Sequence, residues 1–149
     1  MQVSKSIIKW LKDGTKGGRK VAERFLLDNG FTRIGYGSEK EVFHKIGHPF
    51  VVKVHPKGVR HKVPKGVPRS LRKFFAETHS ISTVCHLQEI VKVGKGSSYG
   101  PLNKKMTSIF EGVEASSNHR EDRDAHISSE FLEFNLGINS IGRPVVIDC

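Results

Sequence analysis

Three stretches of this sequence carry residue types that could handle a phosphorylated ligand. The segment GYGSEKEVF, residues 35–43, places Gly35 and Gly37 two apart, followed by Ser38. Glycines so placed let a backbone approach a phosphate closely and offer it amide N–H groups. A few residues on, Lys53 lies within Phe50-Val51-Val52-Lys53-Val54. An ammonium flanked by buried apolar residues is costly unless it meets an anion. The alternative is a lysine whose stem covers the core while its head reaches water. At the far end, Asp148 closes the apolar run Val145-Val146-Ile147, and Asn135 precedes it by 13 residues. An Asp and an Asn together supply hard oxygen ligands of the kind that suit Mg²⁺. A solvated Asp at the end of a last strand is the plainer reading.

These residues need elements to position them. Residues 4–13 read as a short helix with Ile7, Ile8 and Leu11 on one face, stopped at Gly14. A second helix carries Val21, Ala22, Phe25 and Leu26 and stops at Asn29-Gly30. The apolar period then changes to that of strands over 31–35, 41–46 and 50–55, with a turn at Gly47-His48-Pro49. A basic loop follows from Pro56, and the pattern predicts a helix from Ser70 through Phe74, Phe75, Thr78 and Ile81. Strands are expected at His86–Val93 and Lys105–Val113, then a polar stretch over 116–124, a short helix near 126–131, a turn at Gly142 and a last strand at 144–147. The order implies an α+β fold with an antiparallel sheet of about five strands and a helix after the third.

The hairpin and its following strand resemble the first lobe of the protein-kinase superfamily, in particular small phage kinases and bacterial effector kinases. The resemblance rests on the pattern G-x-G-S-x-x-x-V-F, here Gly35 to Phe43, followed by V-V-K-V. It implies that Val42 covers an adenine and that Lys53 grips the α- and β-phosphates of ATP while pairing with a helix glutamate. Glu77 is the candidate for that glutamate, being the one acid between Lys53 and Glu89. The tail from Glu130 to Asp148 resembles the run from catalytic loop to metal-binding Asp, implying Asn135 and Asp148 as Mg²⁺ ligands. Glu130 stands where the family keeps its base Asp. Lys40 replaces the usual third glycine, and the H-R-D pattern is not there. The chain is accordingly expected to be one kinase-like domain over 1–149. Its parts would be a helical extension over 1–30, an N-lobe-like sheet and helix over 31–114, and a remnant of the catalytic and metal-binding segment over 115–149.

Charge adds a second theme. Residues 1–73 hold 18 Lys and Arg against 5 Asp and Glu, a net of +13, whereas residues 74–149 hold 7 against 10, a net of −3. The densest run, residues 57–73, contains Lys57, Arg60, Lys62, Lys65, Arg69, Arg72 and Lys73. Such asymmetry suits an anionic partner: a nucleotide, an acidic face on a host or partner protein, or nucleic acid. It also suits a plain solvated surface. Three functions follow: a minimal ATP- and Mg²⁺-dependent protein kinase, a kinase-fold protein that binds and inhibits a partner through residues 57–73, and a basic nucleic-acid-binding module. Against the last, aromatic residues are not interleaved with the basic run. Cys85 and Cys149 make no disulfide framework, and no C-x-x-C pair accompanies the scattered histidines, so no structural zinc is expected. No apolar run approaches the roughly 18 residues of a membrane span. Lys9 and Lys12 interrupt the only early apolar stretch, so a cytoplasmic protein is expected.

Overall fold

A computed structural model describes residues 1–36, 40–57, 69–92, 108 and 136–147. The chain divides into two compact units, one of residues 1–61 and 77–90, the other of residues 62–76 and 91–149. The first unit opens with helix α1, Lys5–Gly14. Ser4 caps it, its hydroxyl accepting from the Ile7 amide at 3.3 Å. Helix α2, Arg19–Asp28, follows and ends where Gly30 turns at φ +83°, a conformation that costs glycine nothing. Five strands follow: β1 Thr32–Tyr36, β2 Glu41–His44, β3 Phe50–Val54, β4 Thr78–Ser82 and β5 Cys85–Glu89. They form one antiparallel sheet in the order β1-β2-β3-β5-β4. The expected α+β class and five-stranded antiparallel sheet are therefore present, with two helices in this unit.

The two-residue period of the strands divides the sheet into two faces. Phe43, Phe50, Val52, Val54, Ile81, Cys85 and Leu87 form a core with Leu11, Ala22, Leu26 and Phe31, and Ile7, Ile8 and Phe25 pack against it. The first 30 residues are thus not an appendage: their helices cover one face of the sheet. Gly14 allows this approach, since a Cβ there would lie 2.2 Å from the Phe25 ring. Burial raises the Cys85 thiol to about 12, despite a hydrogen bond with Thr15.

One expectation is overturned. The helix predicted from Ser70 through Ile81 is instead a short 3-10 segment, Arg69–Phe74, followed by β4. Thr78 and Ile81 are β-branched, and the side chains of Thr78, Ser80 and Ser82 compete for backbone hydrogen bonds, so tertiary pairing with β5 wins over the apolar spacing. The strand predicted over 86–93 also divides. β5 stops at Glu89, the Ile90 amide donates to the Pro49 carbonyl at 3.3 Å, and β6, Val91–Lys92, joins another sheet.

That second sheet, in the second unit, is β6 with β7, Leu136–Asn139, and β8, Pro144–Val146. Gly142, at φ +76°, makes the turn the sequence predicts. The Asn139 side chain fixes it, its Oδ1 accepting from the amides of Ile141 at 3.2 Å and Arg143 at 2.9 Å. The Ala76 amide donates to the Val146 carbonyl at 2.8 Å, and Phe75 bridges to Val146, so this aromatic serves the second unit. The expected strand at 105–113 and the elements over 116–131 fall outside the described residues, Ser108 apart.

Candidate functional site

The face of the five-stranded sheet opposite the helices is the polar one. Its centre is Lys53 on β3, only 8% exposed although its neighbours Val52 and Val54 are wholly buried on the other face. The ladder places Gly35, Val42, Lys53, His86 and Ser80 in one continuous row across all five strands. Residues directly opposite in antiparallel strands share a face with Cβ atoms about 5 Å apart. Three of the residues singled out from the sequence, Gly35, Val42 and Lys53, are therefore brought side by side. Gly35 has a local reason to be glycine, since a Cβ there would meet Val42 Cβ and Cγ2 at 3.3 Å. The β1 register also shifts between Arg33 and Gly35, a bulge that re-aims the strand just before its last pairs, Gly35 with Val42 and Tyr36 with Glu41.

Around Lys53 lie polar side chains that the sequence reading passed over. His55 is 4% exposed, His86 3% and Gln88 1%. The rings of His55 and His86 are 5.3 Å apart, and His55 Nδ1 lies 3.1 Å from the Pro56 carbonyl. The signal was available: Lys53-x-His55, running one residue past β3, and His86-x-Gln88 on β5 each space two polar residues for one face. What the sequence lacks is the register, which sets His86 directly against Lys53. The sheet's own carboxylates lie elsewhere. Glu41 pairs across with Val54, and Glu89 with Phe50, both on the helix-covered face. This face thus offers cationic and neutral donors from the sheet, a chemistry that suits an anion.

Glu77 is not brought to Lys53. It sits on no helix. It precedes β4, its carbonyl accepting from the Glu89 amide at 2.9 Å, in register with Phe50 and so three residues along from Lys53, about 10 Å at a strand's rise. Its carboxylate is engaged by the Met1 amino group and by His79 Nε2 at 3.2 Å. Burial pushes this carboxyl up, but the hydrogen bond and charge of the Met1 ammonium, and then His79, outweigh it and hold the group below its usual range.

No protein-family model matches the chain, and no curated protein matches it. The chemistry of the site rests on its own geometry.

A second charged cluster braces the glycine hairpin from the helix side. Glu41, at the start of β2 and 5% exposed, lies 3.6 Å from Arg33 and 3.8 Å from Arg19, which also holds Glu23 at 3.1 Å. Arg33 in turn covers the Phe43 ring at 5.5 Å. Desolvation raises the Glu41 carboxyl, and hydrogen bonding and charge from Glu23 raise it further, against the lowering pull of Arg33 and Arg19. This network ties α2 to both strands of the hairpin.

Among the other site residues named from sequence, Gly37, Ser38, Glu130, Asn135 and Asp148 lie outside the described residues. The hairpin of β7 and β8 pairs Leu136 with Val146; in the chain, Asn135 adjoins the first and Asp148 lies two beyond the second. Among the described residues no group of three His, Cys, Asp or Glu side chains could hold a metal ion. No helix among them is long and apolar enough to cross a membrane.

Proposed function

We propose that the chain is a minimal kinase-like phosphotransferase that binds ATP with Mg²⁺ and acts on a partner protein. The observation that supports it is the row Gly35–Val42–Lys53, which sets a phosphate-approachable backbone, an apolar side chain and a buried ammonium next to one another on one sheet face. In this reading Val42 would lie against the adenine, Gly35, Gly37, Ser38 and Lys53 would hold the phosphates, and Asn135 and Asp148 would hold the Mg²⁺. The amide and carboxylate oxygens of that pair suit the ion's preference for hard ligands. Glu130 would accept the proton of the acceptor hydroxyl as that oxygen takes the γ-phosphoryl group and ADP departs. Its extra methylene relative to Asp displaces the carboxylate by roughly an ångström, which can lower the rate about 10²-fold. Glu77, engaged at its own end of the sheet, is not the partner of Lys53 in this scheme.

ATP with Mg²⁺ should raise the melting temperature, equivalent to about 2.7 kcal/mol when ligand stands at 100 times its Kd. Lys53→Met should abolish the shift. An unchanged shift in Lys53→Met would remove the reading. Transfer of labelled phosphate by wild type but not by Asp148→Ala would establish catalysis.

One observation favours a second reading. The described part of the basic segment, Lys57, Arg69, Arg72 and Lys73, is solvent-exposed, as a contact for an acidic partner face would be. If the chain binds and inhibits a partner in this way, reversing these four charges weakens partner binding and leaves any ATP-dependent shift intact.

A further inference from the structure

Helix α1 carries a cost that the fold does not explain. Its apolar side is fully used, with Leu11 buried in the core and Ile7 and Ile8 packed against it. Its outer side presents Lys5, Lys9 and Lys12, all exposed. At 3.6 residues per turn, positions i, i+4 and i+7 form one stripe. Like charges at these spacings each destabilise a helix by about 0.2–0.5 kcal/mol. The first turn has no acid, so Lys5 also faces the positive end of the helix dipole. Nor do nearby carboxylates neutralise the stripe. Asp13 pairs with Lys16 at 3.4 Å, Glu23 with Arg19 at 3.1 Å and Asp28 with Arg24 at 3.9 Å. Lys5, Lys9 and Lys12 form no ion pair among the described residues.

We infer that this stripe is an interaction surface for the phosphate backbone of nucleic acid, separate from the nucleotide site on the opposite face of the sheet. From Lys5 to Lys12 the helix rises about 10 Å, and one strand of a duplex advances a phosphate every ~3.4 Å of axis, so the three long side chains can between them reach up to about three phosphates. The chemistry argues for this partner over the other anionic surfaces. A membrane-surface helix lays its apolar side into the lipid, but that side of α1 is committed to the core. Trp10, the aromatic on the helix, is 37% exposed, but it sits off the lysine stripe with its ring packed on Phe25 at 5.1 Å and Phe31 at 6.4 Å. A protein partner would be anchored by an apolar or aromatic pocket at the centre of the contact, and the stripe offers charge alone. Charge without base-reading groups predicts binding that is independent of sequence and steep in salt.

The test is anisotropy of a fluorescein-labelled random-sequence DNA duplex against the full chain, with no ATP, at 50 to 200 mM salt. The comparison is wild type against Lys5→Gln/Lys9→Gln/Lys12→Gln, whose side chains keep similar helix propensity. Each lost phosphate contact flattens the slope of log K against log salt by about 0.9. The triple variant should therefore lose roughly 40-fold less affinity than wild type across that range, at about 0.9 per lysine. Unfolding followed by Trp10 fluorescence confirms that the variant is folded. Parallel salt slopes overturn the assignment. So does a variant that loses binding to phosphatidylserine vesicles while its duplex binding is unchanged.

Discussion

Replacing Gly14 by alanine tests how the helices reach the sheet, because the structure predicts a change of sign. In wild type the new Cβ would lie 2.2 Å from Phe25 Cε2 and Cζ and 2.5 Å from Cδ2. Carbon atoms pack at about 3.5–4.0 Å, so the ring or the helix must move by more than an ångström. The Phe25 ring cannot withdraw freely, since Trp10 packs on it at 5.1 Å. Overpacking of this kind costs about 1–3 kcal/mol, while alanine in place of glycine in a helix gains at most ~1 kcal/mol. The net expectation is a loss of about 1 kcal/mol, the middle of the overpacking range less the alanine gain. With m near 2 kcal/mol/M this lowers the urea midpoint by roughly 0.5 M. In a Phe25→Ala background the clash is gone, and Gly14→Ala should instead stabilise by up to ~1 kcal/mol. The coupling between the sites is then about 2 kcal/mol. Trp10, the single tryptophan, reports the transition of this unit. Equal destabilisation in both backgrounds, or stabilisation in wild type, would refute the packing argument. Any ATP-dependent thermal shift should survive, because Gly14 lies on the helix side of the sheet and Lys53 on the other.

Glu41 gives a pH test. Its carboxyl is raised above 4.5 in the folded chain, so the folded state holds the proton more tightly than the unfolded one. Its contribution therefore falls as pH rises from 4.5 through the folded value. The difference in urea midpoint between wild type and Glu41→Gln should move in the variant's favour over that interval, and a difference constant with pH would contradict the burial argument. His48 acts in the opposite sense. Desolvation, then Lys45 and His44, lower its imidazole below 6.5. Stability is lost as pH falls from 6.5 through the folded value, a slope that His48→Gln should remove; persistence of the slope would assign it elsewhere. In a Cys149→Ser chain, Cys85 should resist thiol labelling in native buffer and react at the rate of unfolding, since its thiol is buried and raised to about 12. Rapid labelling of the native protein would show that the sheet's core face opens locally.

The elements read correctly from sequence are those whose apolar period and stop signals agree. The two helices show a 3.6-residue apolar face and end at glycines, and β1 to β3 follow a change to period two. β4 was misread because Phe74, Phe75, Thr78 and Ile81 fit a helical spacing, and nothing local says that β5 will claim Thr78–Ser82. That error carried Glu77 with it: an acid expected on a helix facing Lys53 is instead held by Met1 and His79. The grouping of Gly35, Val42 and Lys53 was legible because a motif fixed their spacing along the chain. His55, His86 and Gln88 were not, because their membership of the site depends on cross-strand register, which is a property of the folded sheet.

The face on which Lys53 stands is set by its neighbours along the strand. Phe50, Val52 and Val54 are wholly buried on the helix side. A one-residue slip of β3 would move all three to the polar face and drive Lys53 and His55 into the hydrocarbon core. Both faces therefore oppose the slip, one through lost burial and the other through a desolvated charge. The turn before β3 sets the same register from its end: Gly47 takes φ +93°, and the His48 amide closes on the Lys45 carbonyl at 3.2 Å. His48 then stacks on Phe31 and tilts against Phe50, at 5.8 and 5.0 Å between ring centroids, pinning the first residue of the strand. The alternation that builds the core thus also decides which face Lys53 takes, because any register that exposed the valines would bury the lysine among them.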